Sequence, residues 1–268
     1  MKLSYSTLGC PNWTIGQIVN AAVANKYDAI DFRGYLDTVE IIDSPYFSGE
    51  PLREIARNVK DAGLEVSCLS SGVRMTIPDE ARAIELDRLR RYAELCGAFG
   101  CRMIRIFGGS TAGIADPVAN AAETLAKAAE IAREYGVAMA VETHDDWTDT
   151  AKLRSALRAA GDPKGIGLLW DVQHPWYANG EEPEASARNL SGKLYNTHWK
   201  DIVRTPDGKY WLCLVGKGEL PVDEILAALR SIGYDGWFTF EWEKRWHPEI
   251  EEPEIAIPAF ADFIRSRV

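Results

Sequence analysis

Eight short runs of β-forming residues recur along the chain, and stretches with helical spacing separate them. The candidate strands are 2–9, 28–33, 64–70, 101–107, 137–143, 166–171, 193–200 and 237–243. After the fourth run, Asp116 is placed to cap a helix that begins at Pro117, and its apolar positions recur at steps of three or four as far as Gly136. This pattern predicts strands that alternate with helices, as in a parallel sheet covered by helices.

The alternation continues without a linker and predicts one domain over residues 1–268, an α/β fold consisting of a single (β/α)8 TIM barrel. A doubly wound open sheet is the alternative, but no GxGxxG follows the first strand and GxxxxGK[ST] is absent. Residues 201–221, after the seventh strand, resemble a β-hairpin that turns at Asp207 and Gly208. Insertions of this kind lie at the C-terminal mouth of a barrel, where TIM-barrel enzymes have their active sites.

Composition excludes several classes of protein. The chain is 46% hydrophobic and 26% charged, as in ordinary globular domains. Its net charge of −10, without a cluster of Lys and Arg, argues against a nucleic-acid partner. No apolar run is long enough to span a membrane, and the five cysteines form no CxxC pair. A protein of the reducing cytoplasm, without a zinc–thiolate site, is therefore expected.

Four consecutive predicted strands end in side chains that could bind a metal: Glu142, Asp171, His198 and Glu241. The ends of parallel barrel strands meet at one rim, so we expect these groups to converge. Three uncompensated carboxylates would repel one another and raise each other's pKa values, which a divalent cation would relieve. Oxygen ligands with one imidazole suit Mn²⁺, Mg²⁺, Co²⁺ or Zn²⁺.

The alternative for this set is that the four residues are ordinary polar strand ends, which cap helices or pair with arginines. The candidate partners are Arg33, Arg74 and Arg105. Any single residue of the set fits that description well. Four in successive strands fit it poorly, because the C-terminal rim of a barrel is where catalytic groups gather.

Four more residues are candidates for binding a substrate. His174 follows Asp171 by three residues, and Lys200 lies on the same strand face as His198. Arg33 ends the second strand, and Trp13 lies in a loop expected at the mouth, where a ring suits the apolar face of a sugar. Each has a structural alternative, namely a loop histidine, an ion pair or an aromatic cover for the core.

The segments VETH, WDVQH, THWKD, GKGELP and FEWE resemble the xylose-isomerase-like barrel superfamily of sugar isomerases and epimerases, in order and over the whole chain. The resemblance implies one divalent metal ion bound by the four strand-end residues. It also implies, from the ketose 3-epimerases, that Glu142 and Glu241 exchange protons on opposite faces of the substrate, with His174 holding substrate oxygens. The arginine expected to help is not clearly placed, since Arg188 lies in a predicted helix and Arg204 in the hairpin.

These features predict a metal-dependent epimerase or isomerase that acts on a ketose or keto-sugar by carboxylate-mediated proton transfer, through an enediolate that the metal stabilises. The alternative is a lyase of the same fold, such as an inosose-type or dehydroshikimate-type dehydratase, or elimination from a 3-keto-glycoside. The closing stretch EWEKRWHPEIEEP resembles sugar-catabolic members and is a candidate wall for a glycoside pocket.

Two other classes are weighed against the enzyme hypothesis. Apurinic-site endonucleases of this superfamily bind three zinc ions with extra histidines, but residues 1–143 contain no histidine. A barrel that has lost its reaction would not be expected to retain all four ligands. We therefore expect a small sugar as the partner, with neither nucleic acid nor membrane, and the choice between a homodimer and a homotetramer stays open.

Overall fold

A closed barrel forms the centre of the protein in a computed structural model that describes residues 1–267. The strands are β1 (Lys2–Ser6), β2 (Ala29–Phe32), β3 (Glu65–Arg74), β4 (Met103–Phe107), β5 (Ala138–Glu142), β6 (Ile166–Asp171), β7 (Leu194–Trp199), β8 (Asp201–Arg204), β9 (Tyr210–Cys213) and β10 (Trp237–Phe240). Eight of them close the barrel in the order β1-β10-β7-β6-β5-β4-β3-β2, and neighbours are parallel. The predicted single TIM barrel is confirmed, and the open-sheet alternative is excluded.

Helices follow the barrel strands along the chain. They are α1 (Ile15–Ala24), α2 (Gly49–Asp61), α3 (Arg82–Phe99), α4 (Pro117–Tyr135), α5 (Thr150–Ala159), α6 (Gln173–Asn179), α7 (Pro183–Leu190), α8 (Val222–Ser231) and α9 (Pro253–Arg265). In residues 1–267, none of them is both long and apolar enough to cross a membrane.

Helix α4 begins and ends where the sequence predicts. The Asp116 carboxylate accepts a hydrogen bond from the Ala119 amide at 3.0 Å, which satisfies one of the free N–H groups of the first turn. Gly136 ends the helix with φ of +67°, a conformation that costs glycine little.

The predicted hairpin also forms, because β8 and β9 pair antiparallel and Gly208 lies in their turn with φ of +81°. Its base is closed by the buried carboxylate of Asp201, which accepts amide hydrogens from Gly216, Gly218 and Leu220 at 2.8 to 3.0 Å. The hairpin is therefore anchored beside the end of β7, at the mouth of the barrel.

Two strands end three residues before the sequence pattern predicts, and β3 ends four residues after it. β1 ends at Ser6, because the next three residues form a 3₁₀ turn capped by the Ser6 hydroxyl. β10 ends at Phe240, since the chain then leaves the sheet and the Arg245 amide bonds to the Leu8 carbonyl. Glu241 nevertheless stays against the barrel, because its amide donates to the Trp199 carbonyl of β7 at 3.0 Å.

The barrel interior carries polar side chains, whereas the layer between strands and helices is apolar. Ser4 of β1 and Ser67 of β3 share a hydrogen bond of 2.6 Å across the inside, although β2 separates their strands. Thr239 donates to the Asn196 side chain at 2.9 Å, and both residues are fully buried. Buried polar groups need such partners, so the interior is already a polar environment below the rim.

Candidate metal centre

Three of the four predicted ligands form one buried group. Nδ1 of His198 lies 2.7 Å from an oxygen of Glu142 and 3.1 Å from an oxygen of Glu241. One ligand atom from each of the three residues lies within 4.8 Å of the others. Strands β5 and β7 and the residue after β10 thus bring these three side chains together inside the mouth of the barrel.

The fourth predicted ligand, Asp171, lies beside this group and contacts a lysine. The ammonium of Lys200 is 2.8 Å from Asp171, 3.0 Å from Glu241 and 2.5 Å from Glu243. Lys200 is 1% exposed, so its charge is balanced by these carboxylates and not by water. A protein cation therefore bridges Asp171 to Glu241.

The electrostatics differ from the simple repulsion expected from the sequence. Burial opposes ionisation of Glu142, but Arg105 and His198 outweigh it and lower the pKa of this carboxyl. For Glu241, burial is again outweighed, by Lys200 and His198, and its pKa falls well below the usual range. The condition for raised pKa values, carboxylates without a counter-charge, is therefore not met, because the protein supplies cations of its own.

The same balance acts on the remaining members. Burial opposes ionisation of Asp171, yet His174 and Lys200 lower its pKa. Burial disfavours the charged form of His198, but the two glutamates outweigh it and raise its pKa well above the usual value. The carboxylates are thus held ionised next to protonated partners, a state in which a metal ion would have to compete with protons.

Of the predicted substrate-binding residues, His174 and Lys200 lie in the group. Nε2 of His174 is 3.3 Å from Asp171, and its ring packs against that of His144 with centroids 4.7 Å apart. Arg33 is engaged elsewhere, because its guanidinium binds Glu40 at 2.6 Å. The ion-pair alternative considered for Arg33 therefore holds, with an acid outside the predicted four.

Trp13 is half-buried and lies beside a separate cavity of about 650 Å³. Its lining comes from the loops that follow β1, β2 and β10, and it includes Leu36, Asp37 and the closing stretch from Lys244 to Glu254. None of the four predicted ligands lines it. The cavity is large enough for a small organic ligand.

Sequence reasoning missed two charged residues that contact the group. Asp31 of β2 lies 3.3 Å from Nε2 of His198 and is fully buried. Arg105 of β4, named only as a pairing partner in the alternative, has Nε 3.4 Å from Glu142. Strand alternation could have found Asp31, since it shares a face with Arg33 two residues later.

Unsatisfied oxygens test whether the site suits a metal ion. One oxygen of Glu142 and one of Asp171 are buried without a hydrogen-bond partner, although cations lie within ion-pair distance of both. Buried acceptors are normally satisfied, and exceptions mark sites completed by a ligand or ion. Two such oxygens beside an imidazole and a further glutamate fit a divalent cation.

Comparison with known proteins agrees with this fold. The sequence profile of the xylose isomerase-like TIM barrel family matches residues 19–267. The chain belongs to that family.

Solved structures of the same fold cover this chain almost completely. The IOLI protein, solved with a bound zinc atom, has a TM-score of 0.82 at 20% identity, and the match covers 100% of this chain and 98% of that chain. The probable 3-DHS dehydratase AsbF of petrobactin synthesis from Bacillus anthracis has a TM-score of 0.81 at 19% identity, with 100% of both chains covered. An L-ribulose 3-epimerase has a TM-score of 0.80 at 19% identity, with 99% of this chain and 94% of that chain covered.

The match to a fusion of such a barrel with 4-hydroxyphenylpyruvate dioxygenase covers only 42% of that longer chain. At these identities the likenesses show a shared fold. They include an epimerase and a dehydratase by description, so the fold family comprises enzymes of more than one reaction type.

Proposed function

We propose that the protein is a divalent-metal-dependent sugar epimerase or isomerase that acts on a ketose or keto-sugar. The observation that carries the proposal is the pair of buried glutamates, Glu142 and Glu241, which approach one imidazole nitrogen from two different strands. Two carboxyl groups set on separate strands provide a proton acceptor when ionised and a proton donor when protonated, for a carbon between them.

The residues that would hold the cation are Glu142, Asp171, His198 and Glu241, in agreement with the unsatisfied oxygens of Glu142 and Asp171. A bound divalent cation supplies Lewis acidity, which makes a proton next to a carbonyl easier to remove. Mn²⁺ is the first ion to test, with Mg²⁺, Co²⁺ and Zn²⁺ as the other candidates for this donor set.

The protein's own groups account for the proton transfer. A carboxylate oxygen of Glu142 takes the proton from the substrate carbon, and Glu241, once it has taken up a proton from solvent, delivers that proton to the opposite face, which inverts the centre. We propose that Lys200 and His174, which contact Asp171, hold substrate oxygens. Return of the proton to the adjacent carbon instead would give an aldose–ketose isomerisation.

The expected setting of this activity follows from the chain itself. All five cysteines are free thiols, which supports a reducing compartment such as the cytoplasm. We propose a small sugar as the partner, and a homodimer or homotetramer as the assembly.

The test is exchange in D₂O. Protein loaded with Mn²⁺ is incubated with keto-sugars, and the products are examined by NMR and mass spectrometry. We expect deuterium at C3 of the epimerised sugar and no loss of water. Glu241→Gln should form no inverted sugar, because any deuterium that Glu142 returns goes back to the original face. Absence of exchange with every sugar and every metal tested would refute the proposal.

A second candidate function is elimination, by dehydration or from a 3-keto-glycoside. The Lys200 ammonium beside Glu241 is an additional proton donor, which a leaving oxygen needs and simple epimerisation does not. An unsaturated product in the same experiment would favour this reaction over epimerisation.

A further inference from the structure

The ring of His198 is held between carboxylates at both of its nitrogens. Nδ1 faces Glu142 and Glu241, whereas Nε2 faces an oxygen of Asp31 at 3.3 Å. Both His198 and Asp31 are 0% exposed, so this contact is shielded from bulk water. The histidine therefore has one side toward the proposed metal ligands and one side toward Asp31.

Asp31 reaches His198 across the barrel interior. Its strand β2 is separated from β7 by β1 and β10 in the barrel order. The carboxylate is itself oriented by Ser70 of β3, whose hydroxyl donates to the same oxygen at 2.9 Å. Since β2 and β7 are not neighbours, this contact is not a by-product of strand pairing.

Which nitrogen of an imidazole binds a cation is decided by what the other nitrogen does. A ligating histidine usually donates its second N–H to a carboxylate, carbonyl or water, which fixes its tautomer and the orientation of its ring. In the metal-free protein Nδ1 faces Glu142 through a hydrogen, and a cation can take the place of that hydrogen only if the ring keeps its other hydrogen on Nε2. With the opposite tautomer, the hydrogen on Nδ1 would remain pointed at Glu142 and block that position.

We propose that Asp31 is a positioning residue that accepts the Nε2 hydrogen of His198 and so keeps Nδ1 directed at Glu142 and Glu241. Asp31 does not touch the reacting atoms or the cation; it acts through the imidazole. The consequence for metal affinity rests on the proposed metal site, whereas the consequence for the ring hydrogen does not.

The first test is made on metal-free protein. The chain has four histidines, so ¹⁵N-labelled protein gives a spectrum in which His198 is assigned by its loss in His198→Asn. We expect Nε2 of His198 to carry a slowly exchanging hydrogen in the wild type. Asp31→Asn and Asp31→Ala should shift this resonance or broaden it by exchange. Asp28→Asn, which changes an exposed acid just before the same strand, should leave it unchanged.

The second test is metal affinity, measured by competition calorimetry with Mn²⁺ and Zn²⁺. Loss of such an outer partner typically weakens metal binding 10- to 100-fold, and we expect this for both Asp31 variants. Ser70→Ala, which removes only the hydroxyl that orients Asp31, should give a smaller loss and serves if the Asp31 variants fold poorly. Asp28→Asn should bind metal as the wild type does.

The outcomes separate the two proposals. A wild-type His198 with a bare Nε2, or an Nε2 hydrogen that is unaffected in both Asp31 variants, would overturn the role of Asp31 whatever the activity. A protected Nε2 hydrogen in a protein that binds no divalent metal would refute the proposed enzyme and leave the Asp31 contact established. Weaker metal binding together with a changed ring resonance in the Asp31 variants supports the inference.

Discussion

Single residues show that charge in this site is balanced by the protein itself. Lys200, Arg105 and His198 each lie against a buried carboxylate, so the acids stay ionised without an added cation. Removing one member of a buried ion pair costs more than the pair contributes, because the partner charge is left uncompensated. A divalent cation would take over part of this charge compensation, and this effect can be measured as a gain in stability on metal binding.

Lys200→Met tests whether a divalent cation can compensate the carboxylates in place of the lysine. We expect the metal-free variant to lose about 3–5 kcal/mol of unfolding free energy, because Asp171, Glu241 and Glu243 lose their shared cation. Adding Mn²⁺ should then raise its thermal midpoint more than that of the wild type, since a ligand of the folded state stabilises it. Lys127→Met, at an exposed helical pair with Glu123, is the control and should change neither quantity. Wild-type stability in the Lys200 variant would contradict the argument.

Glu142→Gln and Glu241→Gln test the proton transfer. Each should lower kcat by about 10²- to 10⁴-fold, the usual contribution of a positioned acid or base. The far-UV circular dichroism should be retained, because neither side chain belongs to the apolar layer between strands and helices. Glu243→Gln is the matched control, since this residue contacts Lys200 but lies outside the His198 group. Equal losses in all three variants would point to general electrostatics instead.

The sequence predicted the site as far as the strand ends and no further. Glu142 and His198 were found because each lies at the C-terminal end of a strand, as the last and the next-to-last residue, in a recognisable β/α unit. No pattern in the sequence pointed to Asp31, because it lies within a short apolar strand. Its partner, His198, belongs to a strand that is not a neighbour of β2 in the barrel. The pairing of Glu142 with Arg105, and with it the lowered pKa, likewise depends on distances that spacing does not give.

At the scale of elements, the sequence predicted correctly those helix and strand ends that depend on residues close by in the chain. Helix α4 needed only its cap residue and its terminal glycine, and both lie within the segment. The ends of β1 and β10 were misjudged by three residues because they depend on the Arg245–Leu8 contact between the two loops. Strand length in a barrel is set by the neighbouring chain, which a propensity pattern does not contain.

The hairpin of β8 and β9 gives a prediction at this scale. Asp201→Ala would leave the amides of Gly216, Gly218 and Leu220 without their acceptor, and of these three residues Leu220 is buried. An unsatisfied buried donor costs about 1–3 kcal/mol, so we expect urea denaturation to show a loss of about 1–3 kcal/mol. Asp207→Ala, in the exposed turn of the same hairpin, should change stability by less than about 0.5 kcal/mol. Equal effects would mean that the hairpin base does not depend on Asp201.

For the whole molecule, the shifted groups predict how stability depends on pH in the absence of metal. Glu142, Asp171 and Glu241 have lowered pKa values in the folded state, so the stability they contribute is present above about pH 4 and lost as the pH falls below it. His198 has a raised pKa, so its contribution is complete below about pH 6.5 and is lost as the pH rises toward its folded value. The cluster should therefore contribute most between about pH 4.5 and 6.5.

Urea denaturation in a chelator at about pH 3, 5.5 and 8 measures this dependence, with the wild type compared with His198→Gln. The difference in unfolding free energy between the wild type and His198→Gln should shrink from pH 5.5 to pH 8. Above about pH 6.5 the unfolded histidine has lost the proton that the folded one retains, which lowers the stability of the wild type. His247→Gln, at a partly exposed site, controls for loss of an imidazole outside the cluster. A difference that grew with pH would mean that His198 is neutral when folded, and the charge balance inferred for the metal-free site would be wrong.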